Sequence, residues 1–344
     1  MLLVVVAAVD FPPTFAEFTP SPEAMEGDRS SLLAGFRGLG DRRLLTLRLP
    51  PPWGGQGLSQ GAFFDYQMAL ARHSGTLAFL QTQHQTAAAL IAQGENEALK
   101  VAYLPMMATG KIGVGVGYSH LRRSEPALKA LPTPEGYCLT GEIPWLTGWG
   151  IFEAVVIGAT LPDGRLLFGL IPFEAGGGLT LSEPLAMVAM ASTQTVSARF
   201  EGYLLGGDRL LTIHPPQWMA QKDRENVLKG SAFPLGIARG ALDLLGDCPG
   251  VEALAAQWRD CWAAIRGGDV DDPHRLRGEA IALAGRCTLG AIALARGGAI
   301  NPAHPAQRLY RELMIFTISG QTPLILGGIM GAMGGNDSVL NPIQ

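Results

Sequence analysis

The chain changes its hydrophobic rhythm twice. From Ser31, apolar residues recur at helical spacing through Leu32, Leu33, Phe36 and Leu39. Stronger helical stretches follow over 60–73 and 76–93, the second ending at the C-cap candidate Gly94; a shorter one over 97–108 stops before Gly110. At Ile112 the period becomes two and stays so until about Leu211, with turns at Pro162-Asp163-Gly164 and Gly176-Gly177-Gly178. From about Asp223 the helical period returns over 225–246, 251–266, 273–296 and 304–319, with a further short helix near 322–333. The first four of these suit a four-helix bundle. Residues 1–30, rich in proline, read as loosely structured, and Pro50 to Gly57 as a rigid turn that cannot be helical. The expected fold class is α+β, with a helical domain over 1–110, a β-barrel domain over 111–215 and a helical bundle over 216–344.

Within the strand region, Gly136 to Gly148 reads as a strand, a tight turn at Thr140-Gly141, and a second strand ending in Trp145-Leu146-Thr147. Val155-Val156-Ile157-Gly158 would be the third strand of a β-meander. Residues i and i+2 of a strand share a face, so Trp145 could pack on a flat heterocycle while Thr147 bonds its polar edge. Ordinary sheet packing explains such a pair equally simply.

Composition narrows the class. The chain has 344 residues, 47% apolar and only 16% charged, which predicts extensive burial and room for an oligomer interface. A net charge of −4 without a basic stripe argues against a nucleic-acid partner. Four cysteines with neither CxxC spacing nor a matched histidine cluster fit reduced thiols in a cytoplasmic protein and no metal site. Met1 to Val9 lacks the basic flank and cleavage site of a signal peptide. Met314 to Gly335 carries no charge, but polar residues and glycines interrupt it, so a buried helix pair broken at 320–323 is expected rather than a membrane span.

Several segments, in order, then resemble one family, the acyl-CoA dehydrogenases. Pro52 to Ser59 is similar to the family's Gly-Gly-x-Gly-Leu-Ser turn. Ala78 to Leu104 resembles the helix pair before its barrel, Gly136 to Gly148 its Trp-Ile-Thr segment, and Asn301 to Thr322 its last bundle helix. The resemblance implies FAD, with Trp145 and Thr147 beside the flavin. Tyr118 or Ser119 would stand in the place of the family's Thr-Glu-Pro strand, and Ser124 near the pyrophosphate. It implies an FAD-dependent oxidoreductase acting on a small-molecule acyl substrate such as an acyl-CoA, in a homo-oligomer (dimer or tetramer). A flavin monooxygenase-type member is a variant of the same class. The glycine alternation Gly113, Gly115, Gly117 belongs to that flavin strand or else serves to let a ring or backbone approach closely.

The departures bear on chemistry. The family's usual carboxylate base falls on Gly320, and its alternative base position on Asn226, with Glu225 one residue, or about 100°, away. Asp247-Cys248-Pro249-Gly250 replaces the loop that reaches a neighbouring subunit's FAD, and Gly297-Gly298 is all that remains of a Gln-containing glycine segment. The catalytic residues are therefore unknown from sequence, and a catalytically degenerate scaffold or binding protein is the rival reading. Among other polar residues, His84 reads as a satisfied core histidine. His120, Arg122 and Arg123 form a cationic cluster facing either a phosphate or solvent. Arg308, Arg311 and Glu312 read as structural ion pairs.

Overall fold

The computed structural model describes residues 14–268 and 270–334. The N-terminal part comprises α1 (Pro22–Gly27), α2 (Arg29–Asp41), α3 (Gln60–His73), α4 (Gly75–Gln93) and α5 (Glu97–Ala108). Side-chain caps start all five: Ser21 accepts from Ala24 N, Asp28 from Ser31 N, Ser59 from Ala62 N, Ser74 from Leu77 N and Asn96 from Leu99 N. The Asn96 amide also donates to Asp208 O and Leu210 O, which ties the start of α5 to the strand region.

Eight strands follow: β1 (Val114–Gly117), β2 (Leu128–Thr133), β3 (Gly136–Leu146), β4 (Ala154–Thr160), β5 (Leu166–Pro172), β6 (Leu179–Leu181), β7 (Val196–Gly206) and β8 (Leu210–His214). They form one sheet in the order β6-β7-β3-β2-β4-β5-β8, and β1 runs parallel to β4. The sheet rolls on itself. A Cβ at Gly169 in β5 would lie 2.5 Å from the Leu205 side chain of β7, although β3, β2 and β4 lie between these strands in the sheet. Its two faces bury different sets. Val155, Ile157 and Ala159 of β4 join the core shared with α2 and α3, while Ala154 and Val156 join the core beneath α4 and α5.

The C-terminal part comprises α6 (Trp218–Glu225), α7 (Ala232–Leu245), α8 (Val251–Gly267), α9 (Pro273–Ala295), α10 (Pro305–Ile318) and α11 (Pro323–Gly334). Helix α7 meets α3 backbone to backbone: a Cβ at Gly236 would lie 2.3 Å from Met68 O, and one at Gly240 3.2 Å from Arg72 O. Helices α9 and α11 cross through Gly278 and Gly328 in the same way. Among the described residues, Pro273–Ile300 is long and apolar enough to cross a membrane by length and composition, and it lies packed against α7, α8, α10 and α11.

A buried ion network joins the ends of the chain. Glu312 Oε1 accepts from Thr76 N and Thr76 Oγ1 at 3.0 Å each, and Glu312 Oε2 accepts from Arg308 Nη1 at 2.7 Å. Arg308 also reaches Glu23, and Arg311 pairs with Glu26. The carboxylate thus caps the N-terminus of α4 and locks α10 to it, while Arg308 and Arg311 hold α10 against α1.

The sequence expectations for α3 and α5 match the observed helices, and the break between α10 and α11 falls where expected. Four details differ. Thr140-Gly141 is a bulge in one continuous strand rather than a hairpin turn: Gly141 has φ +131 and packs on Ala127 O. β3 pairs with β2 and β7, not with β4, so the segment is no meander. Pro51–Trp53 is a short 3-10 helix, which prolines at its start permit. The first thirty residues contain α1, capped by Ser21 with Pro22 at its first position. Met1 to Val9 lies outside the described residues.

Candidate functional site

A cleft of about 640 Å³ opens where the three parts meet. Helices α3 and α4 supply Phe63, Phe64, Gln67, Thr82, Gln85 and Thr86; the turn after β1 supplies Tyr118 and Arg122; α6 and the segment before α7 supply Trp218, Met219, Asp223, Asn226 and Lys229. An aromatic cluster fixes one wall. The Phe168 ring lies 5.5 Å from that of Tyr118 and 5.0 Å from that of Trp218, and Trp218 stacks on His214 at 4.5 Å. Burial raises the Tyr118 phenol above its ordinary pKa, so it enters any chemistry as a neutral hydroxyl.

Cations dominate the rim. Arg122 grips Asp223 with both nitrogens, at 2.8 and 2.9 Å, which occupies the carboxylate nearest the cleft. Arg48 lies over the Phe63 ring, and Lys229 makes no ion pair among the described residues. Burial, then repulsion from Arg48 and Lys222, lowers the Lys229 pKa. In a chain of net charge −4, this concentration of positive charge suits an anionic ligand.

The residues implied for the flavin occupy neighbouring but unequal places. β1 and the end of β3 touch: a Cβ at Gly115 would lie 3.2 Å from Thr147 O, and one at Gly117 2.1 Å from the Leu146 side chain. Trp145 is 50% exposed. Thr147 is 8% exposed and its hydroxyl meets that of Thr195 at 3.1 Å. The bulge between Ile143 and Leu146 separates the two environments, so the shared face expected from simple alternation is not kept. Tyr118 lines the cleft, whereas Ser119 and Ser124 are exposed. The glycine alternation has a structural role: Cβ atoms at Gly113 and Gly115 would lie 2.5 and 2.9 Å from the Phe152 ring, which fills the space that side chains there would take.

The cationic cluster around His120 divides. His120 turns inward to Gly158 O at 3.0 Å, Arg122 holds Asp223, and Arg123 faces solvent. His84 is a satisfied core histidine: Nδ1 accepts from Val114 N and Nε2 donates to Met107 O, both at 3.1 Å. Among the described residues no group of three or more His, Cys, Asp or Glu side chains could hold a metal ion.

Both positions read as sites of the family base converge on a residue the sequence reading passed over. Arg277, 6% exposed on α9, donates to Ser319 O and, at 3.1 Å, to Val227 O. A Cβ at Gly320, which has φ +62, would lie 3.7 Å from its guanidinium; one at Gly230 would lie 2.8 Å away. Asn226 caps α6 through a bond from Nδ2 to Lys222 O and lines the cleft beside Val227. Burial, and then repulsion from Arg122, lowers the Arg277 pKa to about 10, and its Nε has no partner. Glu225 points elsewhere: its carboxylate is exposed, bound by Lys222 at 3.0 Å and by Gln221 at 2.8 Å. The only sequence signal for Arg277 was an arginine beside Gly278 among the small residues of a core helix.

Residues 13–111 match the acyl-CoA dehydrogenase N-terminal domain. Solved structures of the same fold span nearly the whole chain. A glutaryl-CoA dehydrogenase from Mycobacterium smegmatis in complex with FADH2 is 16% identical, covers 94% of both chains and superposes with a TM-score of 0.77. An acyl-CoA dehydrogenase from Geobacillus kaustophilus is 13% identical over 93% of this chain and 91% of its own, with a TM-score of 0.73. Butyryl-CoA dehydrogenase from Megasphaera elsdenii is 16% identical over 88% and 89%, with a TM-score of 0.69. No curated protein matches the sequence. The architecture is therefore that of the acyl-CoA dehydrogenases. The match to the family's N-terminal domain covers the segment from 13 to 111, and over the rest of the chain the likeness is one of fold.

Proposed function

We propose that this protein is a flavin-binding member of the acyl-CoA dehydrogenase fold that accepts an acyl thioester in the cleft between α3, α4 and α6–α7. The observation that carries the reading is the meeting of β1 with the Trp145-Leu146-Thr147 end of β3, beside a cleft of ligand size with a cationic rim. The residues present can hold FAD: Trp145 offers a half-exposed indole, Tyr118 lines the cleft, and Ser119, Ser124 and Thr147 lie close in sequence to β1 and the end of β3. When bound, FAD supplies the acceptor for a hydride from the acyl chain. Arg48 and Lys229 would hold the anionic end of the ligand. Among the described residues at the cleft no carboxylate is free to remove a proton, since Asp223 is held by Arg122, Glu225 is turned away, and Arg277 faces the place of a base.

That last observation also favours a second reading, a scaffold that binds the acyl ligand without oxidising it. One experiment separates them. Purified protein is scanned in the visible range, denatured, and its released flavin counted per chain; an acyl-CoA is then added to the holoprotein without oxygen. Near-stoichiometric FAD that Trp145→Ala loses while staying folded supports the flavin site. A protein that stays colourless after incubation with FAD sinks it. Flavin that is present but not bleached by acyl-CoA favours the non-oxidising scaffold.

Self-association fits the surface. Tyr310, Met314 and Ile318 form an exposed stripe along α10, continued by Leu324, Met330 and Met333 on α11. Such a stripe suits a second copy of the chain.

A further inference from the structure

The buried end of the cleft is not built for an alkyl chain. Gln67 on α3 is 3% exposed and lines the cleft, yet its Oε1 has no hydrogen-bond partner. Its Nε2 faces the Thr82 hydroxyl at 3.4 Å, while Oε1 is turned to the cleft side without a partner. The neighbouring polar groups are already engaged. Gln85 Oε1 accepts from Leu47 N at 3.1 Å and its Nε2 donates to Leu44 O at 3.2 Å; the Thr86 hydroxyl donates to Thr82 O at 2.8 Å. Gln67 Oε1 is thus an unmet acceptor in a lining that also includes Phe63, Phe64 and Phe233. An alkyl tail laid against it would keep water away and offer nothing in exchange, whereas a donor would satisfy it.

We infer that the cleft selects an acyl group whose far end carries a hydrogen-bond donor, a hydroxyl or an amide N–H, and that Gln67 is the residue that selects it. The inference rests on the acyl-thioester reading of the cleft and narrows it. The ligand it defines has an anionic head at Arg48 and Lys229 and a donor at its tail, with an apolar stretch between the aromatic rings.

Calorimetric titration of the full chain with a short straight-chain acyl-CoA and with its ω-hydroxy analogue of equal length tests this. The hydroxy analogue is expected to bind on the order of ten- to a hundredfold tighter, the ratio that corresponds to an unmet buried acceptor. Gln67→Leu, of similar size, should remove that preference by weakening the hydroxy analogue while the alkyl probe holds or gains. A change in packing alone would move both probes together. Equal binding of the two probes to the unaltered protein overturns the inference and leaves the acyl-thioester reading standing, and needs no variant to fold. A preference that survives Gln67→Leu overturns the role of Gln67. Failure of both probes to bind overturns the acyl-thioester reading, and the inference with it.

Discussion

Protonation of His84 should unfold this protein from within. The ring is fully buried, edge-on to Phe36 at 5.1 Å between centroids and near Phe152 at 6.1 Å. Its Nδ1 accepts from Val114 N, so a second ring proton would turn a hydrogen bond into two facing donors and place a charge among aromatic rings. Burial lowers its pKa from 6.5 to about 4. With the folded value below the unfolded one, the unfolded chain takes up the proton first. The stability that neutral His84 contributes is whole above pH 6.5 and is lost as pH falls from 6.5 towards 4. A shift of this size is worth about 3 kcal/mol in full, of which about 2.5 kcal/mol is gone by about pH 4.5. Urea unfolding of the wild type and of His84→Gln, each at about pH 7.5 and about pH 4.5, isolates it, because every other titrating group cancels in the double difference. The wild type should lose about 2.5 kcal/mol more than the variant between the two conditions. Equal losses would show that the ring is not held neutral by its surroundings, and the reasoning would fail.

Two further outcomes can be checked directly. Glu312→Ala strands Arg308 beside Glu23 alone and leaves two Thr76 donors without an acceptor; urea midpoints should report a loss of about 3–5 kcal/mol, and a loss near zero would mean the network is energetically idle. Met314→Lys places a charge in the centre of the exposed α10 stripe, so light scattering should find a species of 36.4 kDa where the unaltered chain forms a larger one; an unchanged mass would move the interface elsewhere.

What could be read in advance followed local signals. The apolar period of α3 and α4 is legible, and their starts at Ser59 and Ser74 obey a local rule, since a serine hydroxyl ahead of an apolar run satisfies the first free backbone N–H groups. Ser21 caps α1 in the same way amid prolines that read as loose structure, and α1 is short enough to depend on its contacts with α2 and α10. Gly141 marks a change of direction in both the turn and the bulge, and only the partner strand decides between them. The site divides in the same way. The Trp145-Leu146-Thr147 segment is contiguous, so a sequence can put it forward as one unit. Gln67 and Arg277 matter through what surrounds them, a wall with one unmet acceptor and a pair of backbone carbonyls far apart in the chain, and neither has a local signature.

Arg277 also makes position 320 a poor place for a carboxylate base. A glutamate placed at Gly320 would start from a left-handed backbone that a side chain adopts only under strain. It would stand beside a guanidinium within 3.7 Å of its own Cβ, and that partner would pin its carboxylate and weaken it as a proton acceptor. Removing Arg277 first would free two carbonyls that now fasten the end of α10 to the segment before α7. Each single substitution towards a carboxylate at this position therefore meets a cost of its own, in backbone strain or in lost hydrogen bonds. Arg277 acts as a latch on this corner of the cleft: the residues that line the cavity can vary more freely than the position it guards.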